Sequence, residues 1–365
     1  MSSVYGLSLK VTLFGQSHGP AVGVVLDGFP AGMAIDEEAL RFQLSRRAPG
    51  QSALSTPRVE RDEPEFLSGV MAGVTTGQPL CAVIRSASQR SADYGEALDL
   101  LRPSHADYTG HVRYYGFEDF RGGGSFSGRL TAPIVLAGAL CRQYLSAQGI
   151  RIAAHISRLA GLTDDPIAGL PAETDFSGLQ RMTLPTLRPG LSEEMEAAIL
   201  DAKCEGDSVG GCVSVRVDGL PAGLGAPFFD SVESVLAHLL FSVPGVKGVS
   251  FGDGFALADM RGSEANDPFA LGAEGQIVTR TNHAGGVNGG ITNGMPLLLT
   301  CVFRPTPSIA KPQQTVSMRT HQEATLAVRG RHDPCIVPRA MPVIEAMTAI
   351  GLMDLWKERA ACVRE

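Results

Sequence analysis

The segment Arg121-Gly-Gly-Gly-Ser-Phe-Ser-Gly-Arg-Leu-Thr131 joins a glycine-rich turn to a long apolar run. Alanine, leucine and valine recur at helical spacing after Thr131, which predicts a helix from Thr131 to Gln148. Successive glycines let backbone N–H groups approach an anion, and a glycine turn that leads into a helix is one arrangement that binds phosphate. Such glycines also simply form turns, so this segment alone leaves both interpretations open.

The preceding stretch, Arg102-Pro-Ser-His-Ala-Asp-Tyr-Thr109, adds an imidazole, a guanidinium and hydroxyl groups within thirty residues of the glycine turn. Glycine accounts for 43 of the 365 residues and shows no collagen-like period. We therefore expect many tight turns and close approaches of backbone to ligand, with the chemistry carried by loops.

Charge and composition limit the classes of protein to consider. A formal charge of −7 and the lack of a Lys/Arg run disfavour a nucleic-acid partner, so the arginines are expected to serve small anions or ion pairs. The 44% hydrophobic content suits a globular enzyme with a large core. The seven cysteines are scattered without a Cys-x-x-Cys pair, which predicts reduced thiols and no metal site.

No basic region leads into a long apolar run near Met1, and no apolar stretch is long enough to span a bilayer. We therefore expect a cytoplasmic protein without a membrane partner.

Strands and helices are predicted to alternate irregularly, without a repeat or a dividing linker. This favours one α+β domain over residues 1–365, and the absence of Gly-x-Gly-x-x-Gly argues against a dinucleotide-binding fold. Strands are predicted at Leu7 to Phe14, Ala21 to Leu26, Pro79 to Arg85, Arg151 to Arg158, Gly211 to Val217, Val246 to Phe255 (short strands) and Met295 to Phe303. Further helices are predicted from an Asp36 cap to Arg47, from a Ser192 cap to Glu205, from Val232 to Phe241 and from Met341 to Trp356.

Five islands of polar residues and glycine stand out, and together they carry a family resemblance: Gly15 to Pro20, Arg46 to Pro49, Arg102 to Thr131, Asn282 to Gly290 and Gly330 to Cys335. Their order and spacing resemble those of chorismate synthase from the first strand to the last helix. Asp253 and the run Arg304-Pro-Thr-Pro-Ser308 support the resemblance.

The resemblance implies a fold and a reaction. The fold is a β-α-β sandwich, with helices held between antiparallel sheets, assembled as a homotetramer. The reaction is an anti-1,4-elimination of phosphate from 5-enolpyruvylshikimate 3-phosphate to give chorismate, in the shikimate pathway of aromatic amino acid biosynthesis. It requires reduced FMN without net redox change, and in some members NADPH serves as the reductant.

The resemblance also implies roles for particular residues. His18 matches a proton donor to the leaving phosphate, His105 a histidine beside the flavin, and Asp333 a carboxylate that manages the proton on the flavin N5. Arginine suits a phosphate and two carboxylates because its planar fork makes two-point contacts. The implied substrate ligands are Ser17, Arg47, Arg102, Ser127, Arg129 and Arg331. The implied flavin ligands are Ser125, Phe126, Ser127, Pro244, Gly245, Gly289, Arg304, Pro305, Thr306, Pro307, Ser308 and Arg331.

The chain departs from the commonest family pattern at three places. Gln16 replaces a glutamate, Ser125 to Thr131 replaces Arg-Ser-Ser-Ala-Arg-Glu-Thr, and Ala53 stands where many members have an arginine, for which Arg58 is a candidate substitute. These changes keep a second hypothesis open, a paralogue that binds flavin and anions without catalysis. We expect His18 and His105 to lie exposed at loop tips, Pro49 to Pro64 and Arg304 to Gln322 to close over the site, and the Arg46-Arg47 pair to bind ligand or only to complement a helix dipole.

Overall fold

The computed structural model describes residues 3–50, 54, 62–86, 99–171, 174–328 and 333–362. This part of the chain forms helices of very different lengths, of which the longest is the last. The helices are α1 (Glu37–Arg47), α2 (Asp107–Tyr114), α3 (Thr131–Ala147), α4 (Ser177–Arg181), α5 (Leu191–Cys204), α6 (Val232–Phe241), α7 (Gly262–Ala265) and α8 (Val337–Cys362). Short 3-10 turns occupy Arg121–Phe126, Gly128–Leu130, Ile167–Gly169 and Gly254–Asp259.

Two five-stranded antiparallel sheets form the outer layers. The first has the order β1-β2-β3-β7-β4, with β1 (Val4–Tyr5), β2 (Lys10–Gly15), β3 (Ala21–Asp27), β7 (Leu80–Arg85) and β4 (Pro64–Ser68). The second has the order β11-β16-β10-β8-β9, with β11 (Val246–Phe251), β16 (Leu297–Phe303), β10 (Gly211–Asp218), β8 (Arg151–Leu159) and β9 (Leu162–Thr163). Four two-stranded ladders lie outside them: β5 (Val70–Met71) with β6 (Val74–Thr75), β12 (Phe269–Leu271) with β13 (Ile277–Thr279), β14 (Val287–Asn288) with β15 (Ile291–Thr292), and β17 (Gln313–Val316) with β18 (Glu323–Leu326).

The helical layer lies between the two sheets. Helix α3 packs on β2, β3 and β7 of the first sheet, and α8 packs on α3 and on β8 and β10 of the second. Because α3 is apolar on nearly every side, from Ala132 to Cys141, it can be buried by both neighbours. One hydrophobic cluster runs from Leu9 through Leu140 to Val215, and we infer from this shared core that the chain folds as one domain. The α+β architecture with a helical layer between antiparallel sheets is confirmed.

Local sequence signals explain several boundaries. Asp36 accepts a hydrogen bond from the Ala39 N–H at 2.9 Å and begins α1, as predicted. Helix α5 begins after Gly190, which has a φ of 80°, so the predicted Ser192 cap is wrong. Helix α8 begins at Val337, before the predicted Met341, and Pro342 therefore lies inside the helix. Val246 to Phe251 forms one strand, and the 3-10 turn follows where a further strand was predicted.

The strand ends place several predicted site segments at one end of the sandwich, which we call the site end. In the first sheet Gly15 pairs with Val22 and Ala21 with Arg85. In the second sheet Phe303 pairs with both Gly211 and Val246. The carboxyl end of α1 and the amino ends of α3 and α8 lie at the same end. Loops from both sheets therefore meet there.

Within the described ranges, no helix is both long enough and apolar enough to cross a membrane.

Candidate active site

His18 lies against the glycine turn. Its side chain is only 6% exposed, so the expectation of an exposed loop-tip imidazole is wrong for this residue. A Cβ on Gly122 would lie 2.2 Å from the His18 Cε1, and Gly122, Gly123 and Gly124 all have positive φ. The Ser17 N–H donates to the Gly124 carbonyl at 3.1 Å. Glycine is required here both for its conformation and because the backbone packs on the imidazole.

Asp119 adds a carboxylate to this corner. It accepts from the Arg121 N–H at 3.1 Å and from the Arg121 guanidinium at 2.8 and 2.9 Å. These bonds hold the pKa of Asp119 below its usual value, and the charge of His18 acts in the same direction.

His105 joins the two sheets. Its Nε2 lies 2.7 Å from the Ser308 Oγ, and the Arg304 Nη2 donates to the Ser104 carbonyl at 2.8 Å. His105 is partly buried by these contacts. The loop Arg304 to Ser308 thus contacts the segment that carries His105.

Arg102 is held by Asp107 at the first turn of α2. The Arg102 Nε and Nη2 donate to the two carboxylate oxygens at 2.9 and 2.7 Å, and the Arg102 N–H also donates to Asp107 at 3.0 Å. Burial raises the pKa of Asp107, but the bonds from Arg102 outweigh it and leave the pKa below its usual value. The carboxylate fixes the direction of the guanidinium.

Arg47 and Arg129 share one buried carboxylate, and we call these three residues the Asp62 cluster. The Arg47 Nε and Nη2 lie 2.8 and 2.7 Å from the Asp62 Oδ2, while the Arg129 Nη1 donates to the Oδ1. Arg47 also donates to the Gly128 carbonyl and the Thr131 Oγ1 at 3.4 and 3.3 Å. Burial lowers the pKa of Arg47 to about 10, against the opposing effect of Asp62.

Asp333 and Arg339 extend this cluster. The Arg339 Nη1 donates to the Asp333 Oδ2, and its Nε donates to the Arg47 carbonyl at 3.0 Å. Arg339 of α8 therefore connects Asp333, which the resemblance assigns to proton transfer, with the carboxyl end of α1. Among the described residues this corner holds three guanidinium groups and two carboxylates, an excess of positive charge that favours an anionic ligand.

Arg46 turns the other way, into the helical layer. Its Nη1 donates to Glu345, which also accepts from the Arg142 Nη1 at 3.3 Å, and we call these three residues the Glu345 cluster. A cavity of about 270 Å³ beside it is lined by residues that include Arg46, Arg181 and Arg339. The two adjacent arginines thus have different partners, and both are more than dipole complements.

The loop Arg304 to Ser308 retains polar atoms that suit a flavin ligand. The Arg304 Nε and the Thr306 Oγ1 are buried and lack a hydrogen-bond partner among the residues that the structure describes. A buried donor of this kind is costly unless a ligand or water satisfies it. Gly245 reaches the same loop through its carbonyl, which accepts from the Arg304 N–H at 3.0 Å. These groups fit a polar, anionic cofactor.

The remaining predicted flavin residues divide into three groups. Pro244, Pro305 and Pro307 are neighbours of Gly245 and the Arg304 loop, and Ser125, Phe126 and Ser127 follow the glycine turn beside His18. Gly289 is not brought to this end, since its ladder lies near Val232 and the start of β16. Arg331, Ala53 and Arg58 lie outside the described residues, as does most of Pro49 to Pro64.

Sequence reasoning missed Asp62, Asp107, Asp119 and Arg339, the side chains that hold the predicted ligands. Their only signal was a charge of opposite sign near a predicted cation, and no pattern distinguishes Asp62 from Glu60 or Glu63 as the partner of Arg47. It also missed α2, in which Tyr114 contacts Phe126 at a ring separation of 6.1 Å.

Four histidines match no predicted catalytic position, and three of them have structural partners. His155 is fully buried with its Nδ1 2.9 Å from Asp164, and His111 contacts Glu118 at 3.2 Å. The His238 ring makes an edge-to-face contact with the Tyr5 ring, with 5.8 Å between the ring centroids. His283 pairs with Asp253, and this hydrogen bond raises its pKa. His332 lies outside the described ranges.

The fold and the site together define an α+β protein whose loops converge on a corner rich in arginine and histidine. The family model described as chorismate synthase matches residues 9–356. Chorismate synthase of Dehalococcoides mccartyi strain BAV1 is 45% identical over 97% of this chain and 96% of the relative. Those of Korarchaeum cryptofilum and Thermococcus kodakarensis are 44% and 43% identical, over 96% and 98% of this chain and the same shares of the relatives.

A solved structure titled "Crystal Structure of Chorismate Synthase" has a TM-score of 0.76 and 27% identity, covering 97% of this chain and 93% of that one. The chain belongs to the chorismate synthase family, and it is a lyase of that family.

Proposed function

We propose that this protein catalyses the anti-1,4-elimination of phosphate from 5-enolpyruvylshikimate 3-phosphate, which yields chorismate and inorganic phosphate. The observation that carries the proposal is the convergence of His18, His105 and the Asp62 cluster at one end of the sandwich. In the reaction one carbon–oxygen bond to phosphate breaks and one proton leaves the ring. The protein must therefore bind three anionic groups, assist the leaving phosphate and accept a proton.

Anion binding is assigned to the arginines. Arg47 and Arg129 face the amino end of α3 with their guanidiniums fixed by Asp62, and Arg102 is fixed by Asp107. Ser17, Ser127 and Arg331 complete the proposed set. Since a guanidinium remains protonated at neutral pH, these groups stay positive throughout the reaction.

Proton transfer to the leaving phosphate is assigned to His18. Its burial beside the glycine turn excludes water from one face of the ring. An imidazole whose pKa is near neutrality is suited to donate a proton as the phosphate oxygen gains charge.

The cofactor is proposed to be reduced FMN, with NADPH as a possible reductant. When bound, the reduced flavin supplies electron density that assists carbon–oxygen cleavage. The loop Arg304 to Ser308, with Pro244 and Gly245, would hold it, and His105 would stabilise its anionic form through the position that Ser308 fixes. Asp333, paired with Arg339, would manage the proton on N5.

Assembly as a homotetramer is part of the proposal, with small molecules and no nucleic acid or membrane as partners. Large apolar side chains are exposed at several places, among them Tyr115 and Phe117, and Phe228 and Phe229, which are all at least 85% exposed. Contact between copies would bury such groups. The cytoplasm is the proposed compartment.

A steady-state assay tests the function. Purified protein is mixed anaerobically with chemically reduced FMN and 5-enolpyruvylshikimate 3-phosphate, and chorismate is followed. Turnover is expected with reduced FMN and not with oxidised FMN alone. Repeating the assay with oxidised FMN and NADPH shows whether the protein reduces its own cofactor. Binding of reduced FMN without product formation would favour the non-catalytic paralogue.

A further inference from the structure

We propose that Asp62 is a positioning residue of this site: one buried carboxylate that sets the spacing and direction of Arg47 and Arg129 for the substrate's anionic groups. The inference rests on the proposed function and deepens it. Asp62 matches no residue implied by the family resemblance, and it is recognised only from its contacts.

The geometry divides the carboxylate between the two arginines. Its Oδ2 accepts a hydrogen bond from the Arg47 Nε and lies 2.7 Å from the Arg47 Nη2, and its Oδ1 accepts a hydrogen bond from the Arg129 Nη1. The side chain of Asp62 is 1% exposed, and those of Arg47 and Arg129 are 3% and 7% exposed. Asp62 is thus enclosed by Arg47 and Arg129. Its proposed effect on the substrate is indirect, because it orients these two arginines.

Both arginines also make longer hydrogen bonds to neutral groups. Arg47 donates through its Nη1 to the Thr131 Oγ1 and the Gly128 carbonyl at 3.3 and 3.4 Å, and Arg129 donates through its Nη2 to the Arg85 carbonyl at 3.5 Å. These hydrogen bonds to neutral groups are long, and they are therefore weak. A phosphate or carboxylate would form stronger, charge-assisted bonds with the same nitrogens.

Two adjacent guanidiniums repel one another, and the mutual effect is visible in Arg47, whose pKa is lowered by burial and further by Arg339 and Arg129. Without a shared counter-ion the two side chains would separate. Displacing a binding group by about 1 Å costs up to about 100-fold in rate. Asp62 therefore acts on affinity and orientation.

The Glu345 cluster provides a matched control, because Glu345 is 2% exposed and also lies between two arginines, Arg46 and Arg142, whose side chains are 8% and 17% exposed. The experiment compares Asp62→Asn, Asp62→Glu and Glu345→Gln with the wild type. Circular dichroism and urea unfolding establish the folded fraction of each. Steady-state KM and kcat are then measured, together with calorimetric binding of inorganic phosphate.

Asp62→Asn is expected to raise the KM for substrate by about 10-fold to 100-fold and to weaken phosphate binding by a similar factor. The kcat of the folded fraction should change by less than about threefold, because His18 is not altered. Asp62→Glu retains the charge and should lie between Asp62→Asn and the wild type. Glu345→Gln should leave KM and phosphate affinity within about threefold of the wild type.

Three outcomes would overturn the inference. The first is an unchanged KM in folded Asp62→Asn, and the second is an equal rise of KM in Glu345→Gln. The third is tighter phosphate binding in Asp62→Asn, which would mean that the carboxylate competes with the ligand. Failure of the proposed function is distinguishable, since wild-type protein would then show no turnover while the phosphate titrations still report on Asp62. If Asp62→Asn does not fold, Asp62→Glu supplies the same test, and a wild-type KM with the longer side chain would contradict the proposal.

Discussion

The Asp62 and Glu345 clusters use the same chemistry in two different settings. Each places one buried carboxylate between two arginines, and each draws one arginine from the end of α1, Arg47 in one case and Arg46 in the other. The Asp62 cluster contacts the Gly128 carbonyl and the hydroxyl of Thr131 at the site end. The Glu345 cluster lies between α1, α3 and α8, where the Arg142 Nη2 donates to the Ile152 carbonyl at 2.6 Å.

The difference lies in what surrounds the charges. Around Glu345 the neighbours are chiefly helices, and the ion pairs join α1, α3 and α8 beside a strand carbonyl and a cavity. Around Asp62 the neighbours are loops and a helix terminus, at the end of the sandwich where substrate binding is proposed. A buried ion pair is therefore weak proof of function by itself, and its surroundings decide its role.

Glu345→Gln is expected to have the largest effect on stability. Removing the charge leaves Arg46 and Arg142 buried without a carboxylate, and breaking a buried pair in this way costs about 3–5 kcal/mol. Urea unfolding measures the loss. A loss below about 1 kcal/mol, the usual worth of an exposed pair, would remove the stabilising role assigned to this cluster.

His18→Asn is expected to lower kcat by about 100-fold or more, because a positioned general acid contributes that much. Asparagine is smaller than histidine and leaves space beside Gly122, so some stability is lost as well. The kcat of the folded fraction is the measurement. A kcat near the wild-type value would contradict the assignment of His18 as the proton donor.

Gly138→Ala tests how tightly the helical layer is packed around Glu345. A Cβ at this position would lie 2.3 Å from the Cα of Ala346, where α3 crosses α8. We expect a loss of about 1–3 kcal/mol in the free energy of unfolding, with unchanged KM. Alanine has the higher helix propensity by about 1 kcal/mol, so the loss would arise from the steric contact alone. An unchanged or increased free energy of unfolding would mean that the helices can separate to admit the methyl group.

His155, on strand β8 of the second sheet, makes the free energy of unfolding depend on pH. Burial lowers the pKa of His155, although its bond with Asp164 acts in the opposite direction. Since the folded pKa lies below the ordinary value of about 6.5, the stability from the neutral ring is present above that pH and is lost as the pH falls below it.

His155→Asn should therefore flatten the dependence of unfolding free energy on pH between about pH 7 and about pH 5, measured by urea titration. His283 gives the opposite sign, because its pKa is raised by Asp253, and its contribution is lost as the pH rises. Parallel curves for wild type and His155→Asn would contradict the assigned environment.

Glu65→Gln should have the smallest effect. Glu65 pairs with Arg85 at 2.9 Å, but both side chains are about half exposed. Exposed pairs contribute little because solvent screens them, so the unfolding midpoint should barely move, and should move less in high salt. A loss comparable to that of Glu345→Gln would show that burial does not separate the two kinds of pair.

Much of the architecture follows from local sequence signals. Asp36 and the two acids after it predict the start of α1, and alternating apolar residues predict β3 and β10 nearly to the residue. Helix α2 was missed because Gly110 and the aromatic residues around it give a weak helical pattern. Ser192 was chosen as a cap for its hydroxyl, whereas a glycine in left-handed conformation begins that helix.

The site was predictable only in part, for a physical reason. Ligands such as His105 and Arg129 occur in motifs, but the partners that orient them come from distant segments and need no particular neighbours in sequence. Asp62 lies 67 residues from Arg129, and Ser308 lies 203 from His105. His18 was expected to be exposed because it follows a strand, and it is buried because Gly122 packs against it.

The measurement that tests the central claim most directly is a single turnover with protein and reduced FMN in excess over 5-enolpyruvylshikimate 3-phosphate, stopped at intervals and analysed for both products. The account predicts that chorismate and phosphate appear together in equal amounts and at the same rate, and that His18→Asn slows both equally. Phosphate released without chorismate, or neither product formed by folded protein with bound flavin, would contradict it.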